Sequence, residues 1–396
     1  MLKPLLSVFV LALAVTASAA AQSGPAAPAS TSAQAAAKAE VDTLSLLLTL
    51  LRERPQDVAL SVYPVTPGQP LPAPLLAHNA AQPMPLASSF KIVVLAAYAQ
   101  AVAAGELDPQ QPVTLAEWES FYVLQDGGAH AEALKSLNIP ADAFGRAKDG
   151  THAVPLDTLA RAMIQFSDNA ATDVLLTRLG RGRIDAAVQR LGLSGQQPVA
   201  PVSGVFAAWS APSAAELLTL SPQQRADRFW HEAAQLAAWP SRRQPARIIF
   251  TALQKDAALG RQLQNSTFPA GTTADYAQLM AGVLGADTGQ FSAEEQAVMR
   301  RHLGWLTEVS PENAAVFSAI YLKGGNLDQG VLTQNYALTP SQGPNAGQSI
   351  AVSLFLRNLP SEQAPPLQAA LNEWMLRLAY DPVAQAAVRE ALRPLP

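Results

Sequence analysis

The constraint that weighs most on this chain is where its β pattern falls. Val58, Leu60 and Val62 alternate with Ala59, Ser61 and Tyr63 near the N-terminus, and period two is the signal of a strand. The next β-rich runs come only toward the C-terminus, at 316–323, 330–338 and 350–356, separated by Gly or Pro signals as in an antiparallel meander. Most of what lies between reads as helix. Leu44, Leu47, Leu48 and Leu51 crowd residues 41–51 into a buried helix ended by Pro55. Residues 88–104 form a long apolar helix ending near Gly105, and 156–166 and 170–179 have helical spacing, with Gly180 suited to a C-terminal cap. Helices also read at 272–284 and 367–380, with shorter pieces near 214–220 and 225–238, and the Pro/Gly-rich stretch 64–74 reads as a turn or hairpin loop. The chain ends therefore meet on one sheet around a helical middle, an α+β layout with an antiparallel sheet flanked by helices and an all-helical subdomain.

Composition narrows the chemistry. With 49% hydrophobic and 15% charged residues over 396 positions, the chain can bury a large core and is not disordered. It has no Cys, which excludes a thiol nucleophile, a disulfide framework and any Cys-ligated metal. A net charge of −4 without a long basic run argues against nucleic acid as a partner. Residues 1–21 read as a secretory signal: Lys3 gives the positive start, Leu5 to Val15 an apolar run too short to span a bilayer, and Ala17, Ala19 and Ala21 small-residue cleavage patterns. No Cys follows, which excludes a lipoprotein anchor; a single N-terminal membrane anchor is the alternative to a cleaved signal, and no stable membrane anchor is expected. Residues 22–39, of Ala, Ser, Pro and Gln, read as a flexible linker. The remaining 40–396 read as one domain, with 40–87 and 271–396 as the α/β part, 88–200 as the helical part and 201–270 as an extended insertion. A periplasmic or secreted monomer is expected.

Three short motifs carry the chemistry. Ser88-Ser89-Phe90-Lys91 opens a helix, and residues i and i+3 share a helix face. The lysine nitrogen can then take the serine proton, the activation that a weak hydroxyl nucleophile needs. Lys91 is the one lysine of seven with Ser three residues before it, and it sits in an otherwise apolar run. Ser167-Asp168-Asn169 lies between two helices. It can serve as a helix N-cap, or as a relay hydroxyl beside an amide that holds substrate. A competing Ser136-Leu137-Asn138 is rejected because Pro140 follows at once. Lys323-Gly324-Gly325 ends a β-rich run, where glycines let a strand approach a ligand closely.

In this order the three motifs resemble the S-x-x-K, S-D-N and K-T-G set of class A β-lactamases and penicillin-binding proteins. The flanks MPLASSFKIVVLAAYAQAVAAGEL, MIQFSDNAATDVLLTRLG and YLKGGNLDQGVLTQNYAL are similar to the same family, over roughly residues 41–380. The resemblance implies the β-lactamase/DD-peptidase fold and a role for each residue. Ser88 would be the nucleophile, Lys91 its base or the base's partner, and Ser167 the proton shuttle to the leaving nitrogen. Asn169 would contact the substrate amide and Lys91, and Lys323 would hold the substrate carboxylate. The backbone N–H groups of Ser88 and Asn326 would form the oxyanion hole beside Gly325. The implied substrate is a β-lactam or a peptidoglycan-like amide, with no cofactor and no metal.

Two departures bear on activity. The hydroxyl of the family's third motif is Gly324 here, and the Glu-x-x-Leu-Asn loop that activates the deacylating water is missing. Glu216, Glu232, Glu294, Glu295, Glu308 and Glu312 are the glutamates between Asn169 and Lys323, and none sits in that pattern. Slow deacylation follows as an expectation, and with it the alternatives of a DD-peptidase or esterase, or a sensor or scavenger that keeps its adduct. Other signals are set aside. Gln235 replaces the second His of a zincin motif begun at His231, Gly192 to Gln196 misses a nucleophile elbow by one glycine, and Gly180-Arg181-Gly182 follows a helix rather than a strand. Trp118 and Tyr122 read either as an aromatic wall of the cleft or as ordinary packing.

Overall fold

The computed structural model describes residues 43–123, 126–238, 256–360 and 364–393, so the segments expected as a signal (1–21) and a linker (22–39) lie outside the described residues. Five strands form one antiparallel sheet: β1 (Val58–Val65), β2 (Leu76–His78), β3 (Phe317–Leu327), β4 (Val331–Pro340) and β5 (Ser349–Leu356), in the order β2-β1-β5-β4-β3. The first strand pairs with the last, Val58 opposite Leu356 and Val65 opposite Ser349, so the chain ends do meet on one sheet. The α+β class read from the sequence is the class observed. The third motif differs in placement: β3 runs through Lys323, Gly324 and Gly325 to Leu327, so the motif is inside a strand and not at its end.

The helices that position the site are α1 (Thr43–Glu53), α2 (Lys91–Ala103), α3 (Leu156–Gln165), α4 (Asn169–Leu179), α5 (Val202–Ser210), α6 (Pro222–Ala237), α7 (Thr273–Leu284), α8 (Ala293–Leu303), α9 (Ala364–Tyr380) and α10 (Pro382–Ala391). Successive strand side chains face opposite sides, and helices cover both. Ser61 and Phe355 face α7, through Thr273 and Tyr276, while Tyr336 faces α9 and donates its hydroxyl to Asn372. That is why Ala59 and Ser61 are as buried as Leu60 and Val62. A solvated outer face would have left them wet.

The helical part centres on α2. Its residues from Lys91 to Ala99 are all buried, the mark of a helix surrounded by protein on every side. It packs against α3, α4, α8 and the helix Arg181–Arg190. The expected start at Ser88 is modified: Ala87–Phe90 is a tight 3-10 turn, and the α-helix begins at Lys91. The helix α10 was not foreseen; it opens on an Asp381 cap followed by Pro382 and packs on α1 and α9.

The stretch after the second motif is packed onto this body. Asp173 of α4 accepts the first N–H groups of α5, from Val202 at 2.7 Å and Ser203 at 2.8 Å. Crossing α6 comes so close to α5 that a Cβ on Gly204 would overlap the carbonyl oxygen of Phe229, with its carbon at 2.8 Å. Ala in a helix is better than Gly by about 1 kcal/mol, but overlap with a backbone atom cannot be relieved by a rotamer change. We expect Gly204→Ala to destabilise by about 2 kcal/mol net, read as a lower denaturation midpoint. An unchanged or raised midpoint would contradict this helix crossing.

Candidate active site

The turn that leads into Ser88 is strained and tied down. Among the described residues five non-glycine positions have left-handed φ: Asn79, Ala87, Asn138, Ser167 and Asn358. Asn tolerates that region, whereas Ala and Ser reach it at a cost of about 1–3 kcal/mol. These two lie at the first and second motifs. Ala87 (φ 45°) turns the chain into Ser88, and the carbonyl that precedes it is held by two donors. Thr333 donates its hydroxyl to Leu86 O at 2.8 Å, and Ser89 N–H donates to Leu86 O at 3.0 Å.

Below Ser88 lies a fully buried polar chain. Ser353 donates to Asn335 Oδ1 at 2.7 Å, and Asn335 Nδ2 donates to Ser89 Oγ at 2.9 Å and to Lys323 O at 3.0 Å. Ser89 Oγ and Thr333 Oγ1 are 2.7 Å apart. This chain crosses β5, β4 and β3 and fixes the helix start to the third motif. The third motif's second glycine, Gly325, backs directly onto Ser88: a Cβ there would overlap Ser88 N and lie 2.9 Å from Ser89 N. Gly324 points the other way, and its missing side chain leaves room for the carboxamide of Gln334, its cross-strand partner. A Thr there would have to displace that side chain.

Two buried lysines converge on one hydroxyl. Lys91 Nζ donates to Ser167 O at 2.6 Å, to Asn169 Oδ1 at 2.7 Å and to Ser167 Oγ at 3.3 Å. Lys323 Nζ donates to the same Ser167 Oγ at 2.9 Å and to Gly324 O at 3.1 Å. No carboxylate bonds either ammonium among the described residues. Burial therefore lowers Lys91 to about 8, against a smaller opposing pull from Asp168, Asp173 and Asp126. Burial, and then the charge of Lys91, drive Lys323 well below its ordinary value. Lys91 can therefore hold and release a proton near neutrality.

The structure thus brings together Lys91, Ser167, Asn169 and Lys323 by hydrogen bonds, and Gly325 with Ser88 by backbone contact. It does not join Ser88 Oγ to Lys91 Nζ by a hydrogen bond; the half-buried hydroxyl has no partner among the described residues. Asn326 is exposed on β3, one residue past Gly325. Trp118 is fully buried and meets the ring of His130 edge-on at 5.1 Å, and Tyr122 lies over the same ring at 4.6 Å. Trp118 thus packs in the core, while Tyr122 is half-buried. His231 is an exposed residue of α6, as a helix surface requires.

PBP-A is similar at 16% identity and a TM-score of 0.44, over 89% of this chain and 94% of that one. A β-lactamase from Sphaerobacter thermophilus is similar at 17% identity and a TM-score of 0.47, over 84% and 97%. A representative of class A β-lactamase from Bacteroides cellulosilyticus is similar at 14% identity and a TM-score of 0.45, over 88% and 97%. No curated protein matches the chain. The model of the β-lactamase enzyme family matches residues 49–232. It is that family which this chain resembles, over the span that holds Ser88, Lys91 and Ser167-Asp168-Asn169.

Proposed function

We propose that the protein is an exported serine hydrolase that opens β-lactam amides through an acyl-enzyme on Ser88. The observation that carries this reading is the hydroxyl of Ser167 held between Lys91 and Lys323, with Lys91 one turn after Ser88. Neutral Lys91 takes the Ser88 proton as Ser88 Oγ bonds to the carbonyl carbon. The proton passes by Ser167 to the ring nitrogen as the C–N bond breaks. Lys323 and Asn169 hold the substrate's carboxylate and amide, and the N–H groups of Ser88 and Asn326 receive the oxyanion, a term typically worth about 3–4 kcal/mol per donor. No cofactor enters these steps.

Among the described residues no carboxylate is assigned to deacylation. Asp173 is spent on capping α5, Glu216 is exposed, and Glu232 pairs with Arg228 on the same helix. That absence of a placed carboxylate favours a second reading of the same site: a penicillin-binding peptidase or esterase whose β-lactam adduct persists. A fluorescent penicillin should label wild type and leave Ser88→Ala unlabelled, and chromogenic cephalosporin turnover should be slow after one equivalent. Rapid turnover would remove the second reading, and absence of both label and turnover would remove both.

A further inference from the structure

Behind the second motif the fold buries a charged cluster that these steps do not use. His130, in the helix Ala129–Ser136, is fully buried. Its Nδ1 lies 2.8 Å from Asp168 Oδ2 and its Nε2 3.3 Å from Glu119 Oε1, so both ring nitrogens face carboxylates. Its own backbone N–H donates to Asp126 Oδ2 at 2.8 Å. Burial alone would discharge the ring, but the charge and hydrogen bond of Asp168, then Glu119 and Asp126, raise it to about 10. Two charge-assisted bonds to one imidazolium are stronger than neutral ones.

Asp168 is the middle residue of the second motif. Its Oδ1 accepts the Ala171 N–H at 2.9 Å and caps α4, while Oδ2 meets His130. Both its oxygens are therefore fixed, and so is the peptide that follows Ser167. Ser167 needs this, because its φ of 64° is costly for a serine and persists only where neighbours over-determine it.

We propose that His130 is a positioning residue: through Asp168 it holds Ser167 in the left-handed conformation that places its hydroxyl between Lys91 and Lys323. The inference rests on the reading of Ser167 as the proton relay. A buried histidine that merely stabilised the core would change how much protein folds. It would not change how fast the folded fraction reacts.

The test compares His130→Ala, His130→Gln and Asp168→Asn in the full chain. Single-turnover labelling with a fluorescent penicillin gives the acylation rate constant, the apparent affinity and the labelled fraction separately. His130→Ala should lower the rate constant on the order of tenfold to a hundredfold and leave the affinity within about twofold. His130→Gln, whose amide can donate to Asp168, should recover most of the loss. Asp168→Asn should match His130→Ala, and the double variant should lose no more than either. A smaller labelled fraction at an unchanged rate constant would overturn the proposal. A crystal structure of His130→Gln and His130→Ala decides it independently of substrate. In the alanine variant Ser167 should leave positive φ and lose one lysine contact, and an unchanged turn would overturn the proposal. Should wild type take no label, the proposed function fails while this structural comparison still decides the role of His130.

Discussion

Lys91→Ala should slow acylation of Ser88 on the order of a thousandfold with little change in melting temperature. Lys91 is a fully buried cation whose bonds go to a carbonyl, a hydroxyl and an amide. A buried charge without a directly bonded counter-ion is a burden on stability. Its removal relieves that burden and leaves Ser167 O and Asn169 Oδ1 unpaired, so the two effects offset. On the proposed reading, what is lost is the base. Lys91→Arg should lose as much, since a guanidinium does not release its proton at working pH. The same physics fixes the pH profile. The active form is the neutral amine, which appears as pH rises through about 8, so wild-type acylation should climb with pH and level off above that value. At pH 7 about one tenth of the lysines are in the active form. Stopped-flow acylation rates across pH 6–10 check this. A profile that is flat, or that falls through pH 8, would count against Lys91 as the base.

Gly325→Ala should cost acylation about a hundredfold and also lower stability. The added Cβ would meet Ser88 N, Ser89 N and the Ala87 carbonyl carbon, all backbone atoms. They cannot swing away, because Ala87 is already left-handed and Ser89 is held by Thr333 and Asn335. The clash must push β3 away from the nucleophile turn, and with it the two N–H groups assigned to the oxyanion. Gly324→Ala is the internal control. Its Cβ meets chiefly the end of the Gln334 side chain, which can rotate, and Thr333 O at 3.0 Å. It should lose several-fold less activity than Gly325→Ala. Equal losses for the two variants would refute the close contact between β3 and Ser88 as the reason for the glycine.

The parts of the site that were legible in the sequence are local. Ser88 and Lys91 share a helix face three residues apart, and Ser167-Asp168-Asn169 is a contiguous cap, so spacing alone exposes them. The α+β layout was legible because β alternation sits only at the two ends of the folded chain. Long-range partners were not. Glu119, His130 and Asp168 are separated by 11 and 38 residues along the chain, and nothing in hydrophobic periodicity links them. The chain from Ser353 through Asn335 to Ser89 joins residues 246 positions apart at its widest bond, and its members look like ordinary polar strand residues. The 3-10 start at Ala87–Phe90 escaped notice because its cause, the pull of Thr333 on Leu86 O, comes from β4. The helix α10 could have been found: Asp381 followed by Pro382 is a cap with Pro at the first helical position.

The central claim is covalent chemistry at Ser88, and intact-mass analysis with peptide mapping after exposure to benzylpenicillin tests it most directly. Opening of the ring by Ser88 expels no atom, so wild type should gain the mass of the whole antibiotic. The gain should map to the peptide containing Ser88, depend on Lys91 and, on the proposed reading that no carboxylate among the described residues activates water, persist. Ser88→Ala should gain nothing. No adduct on wild type, or an adduct carried equally by Ser88→Ala, would contradict the account.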